Sequence, residues 1–284
     1  MKVGIIGLGT MGLGMARNIA KSGLLVAIYN RTSKKATDFG KELNLTPCSS
    51  PQELAGQVDI VLICVSKDVD VLQMINAIAE TIKPNTVVID LSTISMETAQ
   101  KAAKILTKKQ VSYLDAPVSG GAEGAKNGSL AIMVGGDKKT LKKVLPVLEV
   151  IGSRIIYIGQ TGSGQGAKAV NQIMAAGINQ AVTEALAFGQ SQGLEMNAVI
   201  DVISGGAASN WFLQNRGTSM LQEIFRPGFK VALHHKDLVI CKNMAQQSGA
   251  VTNLIEQTLT DYEKLIEQGY ADEDISALYR LKKV

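Results

Sequence analysis

From Val3 to Ile158 the chain alternates short β-branched, apolar runs with stretches of helical periodicity, and no other feature limits its fold so sharply. Strand-like runs fall at 2–6, 25–29, 58–65, 86–90, 111–115, 130–134 and 155–158. Helical periodicity fills 10–22, 33–43, 68–82, 95–109 and 138–150, and Ser95 with Glu97 two residues on gives one of these helices a start. Such alternation predicts a parallel sheet covered by helices on both faces. The run Val-Asp-Ile-Val-Leu-Ile-Cys-Val at 58–65 is nearly all apolar, as a strand buried on both faces must be, whereas a strand with one wet face would alternate.

Directly after the first strand comes Gly7-Leu8-Gly9-Thr10-Met11-Gly12, which also opens the first helix. A glycine-rich turn alone can be purely structural. At the head of a βαβ unit it gains a specific meaning: Gly7 makes the tight turn, Gly9 lets backbone approach a pyrophosphate, and Gly12 lets helix and strand pack closely. The helix N-terminus offers unpaired N–H groups to the anion. The fold expected is therefore an α/β Rossmann-type doubly wound sheet that binds a nicotinamide dinucleotide. Leu8, Thr10 and Met11 complete the turn, and Val65, at the end of the third strand run, joins the expected cofactor contacts.

The end of the second strand selects the dinucleotide. An acidic residue there would grip a ribose 2′-hydroxyl and repel a 2′-phosphate, but the strand ends in Asn30-Arg31-Thr32. All three can donate to a phosphate, and the Arg fork suits one well. NADP(H) is the expected cofactor; the alternative is an Arg31 that stacks on adenine and ignores the phosphate.

After Gly159 the pattern changes, and from Gln165 onward only helical stretches broken by Gly and Pro remain. At 284 residues the chain exceeds what one core usually serves, so two domains are expected, 1–161 and 162–284, the second all-α. A long helix near 165–192 joins them. Its stretch from Ala169 to Gly189 carries a single charge, Glu184. A membrane span is the rival reading, but Asn171, Gln172, Asn179, Gln180, Thr183 and Glu184 would be costly in lipid, so burial between domains or subunits is expected.

The remaining composition excludes several classes. A net charge of +4, with small lysine clusters such as Lys34-Lys35 and Lys108-Lys109, describes solvated helix faces rather than a nucleic-acid groove. Cys48, Cys64 and Cys241 are odd in number and widely spaced, which fits reduced thiols. Adjacent His234 and His235 cannot make the i,i+4 pair of a helical metal site, so no metal is expected. Val3-Gly4-Ile5-Ile6 follows Met1-Lys2 at once and is too short for a signal peptide, so a cytoplasmic protein is expected.

Four further segments carry chemistry: Asp90-Leu91-Ser92-Thr93, Asp115-Ala116-Pro117-Val118-Ser119-Gly120-Gly121, Gly162-Ser163-Gly164-Gln165-Gly166-Ala167-Lys168-Ala169-Val170-Asn171-Gln172, and Lys236-Asp237-Leu238. In this order and spacing, with the opening glycine turn, they resemble the β-hydroxyacid dehydrogenase family over essentially the whole chain. The resemblance implies an NADP-dependent, reversible hydride transfer between NADPH and a short carboxylate-bearing aldehyde or ketone, of the 3-hydroxyisobutyrate, glyoxylate, succinic semialdehyde or tartronate semialdehyde class. It implies an active site between a Rossmann domain and an all-α domain, and with the apolar long helix it favours a homodimer or homotetramer.

Lys168 is, by this resemblance, the general acid and base. A lysine starts near a pKa of ~10.4 and must fall towards roughly 7–8 for that work, which an apolar helix can bring about. Gln172 follows it by one turn on the same face, where the family most often has Asn; Asn171 stands one place earlier, which leaves open which amide orients the substrate hydroxyl. Ser119, Gly120 and Gly121 would bind the substrate carboxylate through a hydroxyl and a backbone nest. Asp115-Ala116-Pro117 reads as scaffold. Thr93, just past a strand's C-terminal end, would contact nicotinamide and substrate, or else cap the following helix. Lys236 would reach the cofactor and Asp237 orient it or close the cleft. Phe229 is a candidate for the substrate wall or for core, and Trp211 for core or an interface. The contrasting expectation is a non-catalytic NADP-binding or redox-sensing module of the same fold; an intact Lys168 argues against it.

Overall fold

In a computed structural model, which describes residues 1–283, the chain divides into two compact units, Met1–Lys168 and Ala169–Val284. The first begins β1 (Val3–Ile6), α1 (Thr10–Lys21), β2 (Leu25–Tyr29), α2 (Ser33–Leu43), α3 (Pro51–Ala55), β3 (Ile60–Ile63), α4 (Asp68–Ile78) and β4 (Val87–Asp90). It continues through α5 (Met96–Thr107), β5 (Ser112–Asp115), β6 (Val118–Ser119), α6 (Gly121–Asn127), β7 (Leu130–Gly136), α7 (Lys138–Ile151) and β8 (Gly152–Gly159). A long helix, α8 (Ser163–Ser191), starts in this unit.

The eight strands form one sheet in the order β2-β1-β3-β4-β5-β7-β6, with β8 paired to β7. The strands from β2 to β5 are mutually parallel, as the alternation predicts. The sheet is nevertheless mixed, because β7 runs antiparallel to both β5 and β6. Pro117 lies between β5 and β6, where it has no N–H to give, and the short α6 returns the chain directly against them. The two-residue β6 and the short helices α3 and α6 are too brief for periodicity to reveal.

Side chains of the central strands alternate between two cores. Val3, Ile5, Ile60, Leu62, Val87 and Ile89 point into one, and Ile6, Val61, Ile63 and Val88 into the other. All are essentially inaccessible, and each buried side chain contributes about 1.5–3 kcal/mol. Because β1 has β2 on one side and β3 on the other, the chain diverges at the carboxyl ends of β1 and β3, the switch point where ligands bind open α/β sheets.

The second unit holds α9 (Met196–Ser204), α10 (Trp211–Leu221), α11 (Val231–Ser248), α12 (Asn253–Glu267) and a closing 3-10 helix, Ile275–Leu281. Glu195, Asn210 and Asp274 cap three of these helices by accepting N–H bonds from the first turn. Its core gathers Tyr262, Tyr279, Leu278, Leu265 and Ile275. Within the chain α8 is not buried all round: Val170, Met174 and Phe188 form an exposed apolar stripe. Trp211 is likewise not core but 55% exposed, with the Arg216 guanidinium over its ring. Among the described residues no helix is long and apolar enough to cross a membrane.

One buried acid makes stability depend on pH. Asp90, at the end of β4, accepts from Ser92 N (2.9 Å) and the Tyr113 hydroxyl (3.1 Å), and burial pushes its pKa up to about 6. With the folded value above the unfolded one, its contribution is full below about pH 4 and is lost as pH rises through 6. Asp90→Asn mimics the protonated form. From pH 4 to 8, wild type should therefore lose on the order of 2–3 kcal/mol of stability relative to Asp90→Asn, read from urea midpoints. Parallel pH dependences for the two proteins would refute this.

Candidate functional site

The glycine turn closes tightly at the switch point. Gly7 has φ +98°, and a Cβ there would lie 2.1 Å from the Cys64 carbonyl oxygen, so β1 and β3 end back to back only because no side chain intervenes. Gly12 is held as closely, since a Cβ there would come within 1.9 Å of the Gly7 oxygen. Gly9 differs. It is exposed, and a Cβ built on it would meet nothing within 4 Å. It is also the N-cap of α1 without any side-chain cap, so open space lies before the first N–H groups of a twelve-residue helix. A pyrophosphate fits such a cradle.

The end of β2 braces that turn. Asn30 accepts from Leu8 N through Oδ1 (2.9 Å) and donates through Nδ2 to the Thr32 carbonyl (3.1 Å). Arg31 is mostly exposed and pairs with Asp70 in the first turn of α4 at 2.9 Å. Asn30, Arg31 and Thr37 share a surface recess with Tyr29, Pro47 and Cys48. Among the described residues no acidic side chain lines it.

The loop after β4 is tied to the start of α8. Ser92 accepts from Val65 N at 3.0 Å, which joins the ends of β3 and β4. Gln165, only 1% exposed, donates from Nε2 to the Ser92 carbonyl (2.8 Å) and accepts on Oε1 from Ile94 N (3.1 Å). Thr93 lies between these two backbone groups. The cap of α5 is Ser95, whose hydroxyl accepts from Thr98 N, so Thr93 does not serve as that cap.

Asp115, at the end of β5, accepts from Gly162 N (2.8 Å) and Gln165 N (3.0 Å) and so caps α8 from a neighbouring strand. Burial holds its pKa above the usual carboxylate value, against the pull of those N–H bonds. The approach is possible because Gly135 and Gly164 lack side chains: a Cβ on either would come within 3.0 Å of an Asp115 carboxylate oxygen. Lys168, three residues beyond Gln165 on α8, is buried at 7% exposure. Ser119 ends β6, and Gly120 and Gly121 follow at φ +131° and +62°, a backbone that side chains disfavour.

In the second unit Asn171, Gln172, Asp237 and Lys236 form one network. Asn171 Nδ2 donates to Gln172 Oε1 (2.8 Å), Gln172 Nε2 donates to Asp237 Oδ2 (2.6 Å), and Lys236 Nζ lies 2.7 Å from Asp237 Oδ1. Gln172 and Asp237 are both nearly inaccessible. Phe229 is half-buried, with its ring 5.1 Å from that of His234. His234 is fully buried between the Gln172 carbonyl (3.1 Å from Nε2) and the Tyr262 hydroxyl (3.0 Å from Nδ1). Among the described residues no three His, Cys, Asp or Glu side chains form a group that could hold a metal ion.

Two family models divide the chain between them: the NAD-binding domain of 6-phosphogluconate dehydrogenase matches residues 2–159, and that of NADP-dependent 3-hydroxyisobutyrate dehydrogenase matches 162–282. The chain belongs to the β-hydroxyacid dehydrogenase family. Among other members, the 2-hydroxy-3-oxopropionate reductase of Escherichia coli is 36% identical over 87% of this chain and 84% of its own. The NAD-dependent L-serine dehydrogenase of Pseudomonas aeruginosa is 31% identical over 99% of this chain and 97% of its own. The 3-hydroxyisobutyrate dehydrogenase of Mycobacterium tuberculosis, solved with L-serine, superimposes with a TM-score of 0.91 at 30% identity, covering 100% of this chain and 99% of that one. This β-hydroxyacid dehydrogenase family member is thus an oxidoreductase of hydroxyl groups that uses a nicotinamide dinucleotide.

Four residues gain roles that the sequence did not give them: Asn30 as a brace, Asp70 as a partner for Arg31, Ser92 as a strand tie and Gln165 as a clamp. A single long polar side chain among the small residues Gly162, Ser163, Gly164, Gly166 and Ala167 is the signal that could have singled out Gln165. The glycine turn makes a separable prediction. Gly9→Ala should hold stability within about 0.5 kcal/mol and weaken NADPH binding at least about tenfold, because the added methyl enters open space. Gly7→Ala should cost about 1–3 kcal/mol by itself. Fluorescence titration and urea unfolding measure both, and wild-type NADPH affinity in Gly9→Ala would rule out the cradle.

Proposed function

We propose that the chain is an NADP(H)-dependent reductase of short carboxylate-bearing aldehydes and ketones that also catalyses the reverse oxidation of 3-hydroxyacids. Lys168 is its general acid and base. The observation that carries this reading is the burial of Lys168 on α8, one turn beyond a glutamine bonded to the backbone on both sides of Thr93. A buried ammonium one turn from that clamp can give a proton to a carbonyl oxygen and recover it from a hydroxyl.

Gly7 to Gly12, Asn30, Arg31, Thr32 and Val65 would hold the dinucleotide, with Lys236 and Thr93 as further contacts. When bound, that group supplies or accepts the hydride. The 2′-phosphate preference rests on this chain's own β2 end, Asn30-Arg31-Thr32, which has no acid of its own; Arg31 would exchange its Asp70 partner for the phosphate. The serine dehydrogenase relative is NAD-dependent by name. Ser119, Gly120 and Gly121 would take the substrate carboxylate, and their positive φ values support a backbone nest. The linked amides and charges of Asn171, Gln172, Asp237 and Lys236 support their assignment to substrate and cofactor, with Phe229 in the pocket wall. Because Gln172 is bonded at both ends of its amide, it serves best as the residue that fixes Asp237 and Lys236. The exposed stripe of α8 supports a homodimer or homotetramer. A cytoplasmic setting, where NADPH is kept reduced, suits the reductive direction.

Wild type should oxidise NADPH with at least one of glyoxylate, succinic semialdehyde or tartronate semialdehyde. Lys168→Ala should lower that rate about 100-fold or more and leave NADPH affinity within about twofold. NADH should be used far less well. Binding of NADPH without turnover of any C2 to C5 oxo acid would favour a binding or sensing module instead, and equal use of NADH would overturn the NADP assignment.

A further inference from the structure

We propose that Gln165 is a positioning residue whose side-chain amide fixes Thr93 relative to the face of α8 that carries Lys168, an inference that rests on the roles proposed above for Thr93 and Lys168. Gln165 and Lys168 are three residues apart on one helix, so their side chains leave neighbouring points of the same face. The Gln165 amide bonds to the Ser92 carbonyl and the Ile94 N–H, the two groups flanking Thr93 that a neighbouring strand would pair. Fixing both peptide planes sets the direction of the Thr93 Cα–Cβ bond. One amide, with a donor and an acceptor side by side, therefore does for this loop what a strand does for a sheet.

The support of Gln165 is itself rigid. Its own backbone N–H donates to Asp115 Oδ2 at 3.0 Å, so the residue is held by a β5 carboxylate while its side chain holds the loop after β4. Gly164 lies against the Met133 and Asp115 carbonyls, where a Cβ would come within 2.4 Å and 2.7 Å, so the helix start cannot slide along the sheet. Only a side chain of this length with both a donor and an acceptor satisfies the two groups. Asn is one methylene short, Leu satisfies neither, and Glu satisfies both only when protonated, because its ionised form sets an oxygen against the Ser92 carbonyl.

Gln165→Glu makes the claim testable, with Gln165→Leu as the control. At pH 8 the Glu variant should show a kcat about 10- to 100-fold below wild type, with KM for NADPH within about twofold. Its activity relative to wild type should recover as pH falls and the carboxyl protonates, whereas Gln165→Leu should stay low at every pH. Hydrogen exchange of peptides spanning Ile94 provides a readout independent of turnover: the Ile94 amide should lose protection in Gln165→Leu and regain it at low pH in Gln165→Glu. A relative activity of Gln165→Glu that does not change with pH would overturn the positioning role. Unaltered Ile94 protection in Gln165→Leu would overturn the clamp itself. If wild type turns over no oxo acid, the functional reading fails separately, and the exchange result alone decides the clamp.

Discussion

The carboxylate of Asp115 holds together what the rest of this molecule needs. It ends the last of the parallel strands and accepts the N–H groups of Gly162 and Gln165, so a helix of 29 residues starts from a fixed point on the sheet. Burial of this carboxylate carries a desolvation cost that holds its pKa above the usual value, and the backbone N–H groups of Gly162 and Gln165 offset part of it. Gly135 and Gly164 give it room. Because of this cap the first turn of α8, and Lys168 with it, belongs to the sheet unit; the division between units falls inside the helix.

The strand ends are built on a second, steric constraint. At the switch point β1 and β3 approach so closely that Gly7 can carry no side chain, while Gly9 beside it faces open space. That contrast separates a glycine that the packing of the strand ends requires from one that it does not. Around the turn, Asn30 and Ser92 hold neighbouring strand ends with single hydrogen bonds to Leu8 and Val65. Each tie is worth only about 1 kcal/mol, but together they fix the rim formed by these strand ends.

Much of this was legible in the sequence. The run at 58–65 gave away a strand buried on both faces, the glycine turn gave away the switch point, and the change of pattern after Gly159 gave away an all-α second half. Other features stayed hidden for physical reasons. The antiparallel β7 follows from where α6 returns the chain, which periodicity does not encode. Trp211 is exposed although large and aromatic, since residue type sets only a preference for burial. Gln165, Asp115 and Asn30 act on groups far away in sequence, Gln165 reaching back to Ser92 and Ile94. Polar side chains that satisfy distant backbone carry no periodic signature, so only the folded chain reveals them.

In the function proposed above, the residues gathered at these strand ends, with Lys168, bring NADPH and an oxo acid together for reaction rather than merely bind a dinucleotide. The most direct measurement uses NADPH deuterated at the transferred position of C4, incubated with glyoxylate, succinic semialdehyde and tartronate semialdehyde in separate reactions. At least one of them should give a hydroxyacid bearing one deuterium on its carbinol carbon. Tight binding of the labelled NADPH with no deuterium in any product would contradict it.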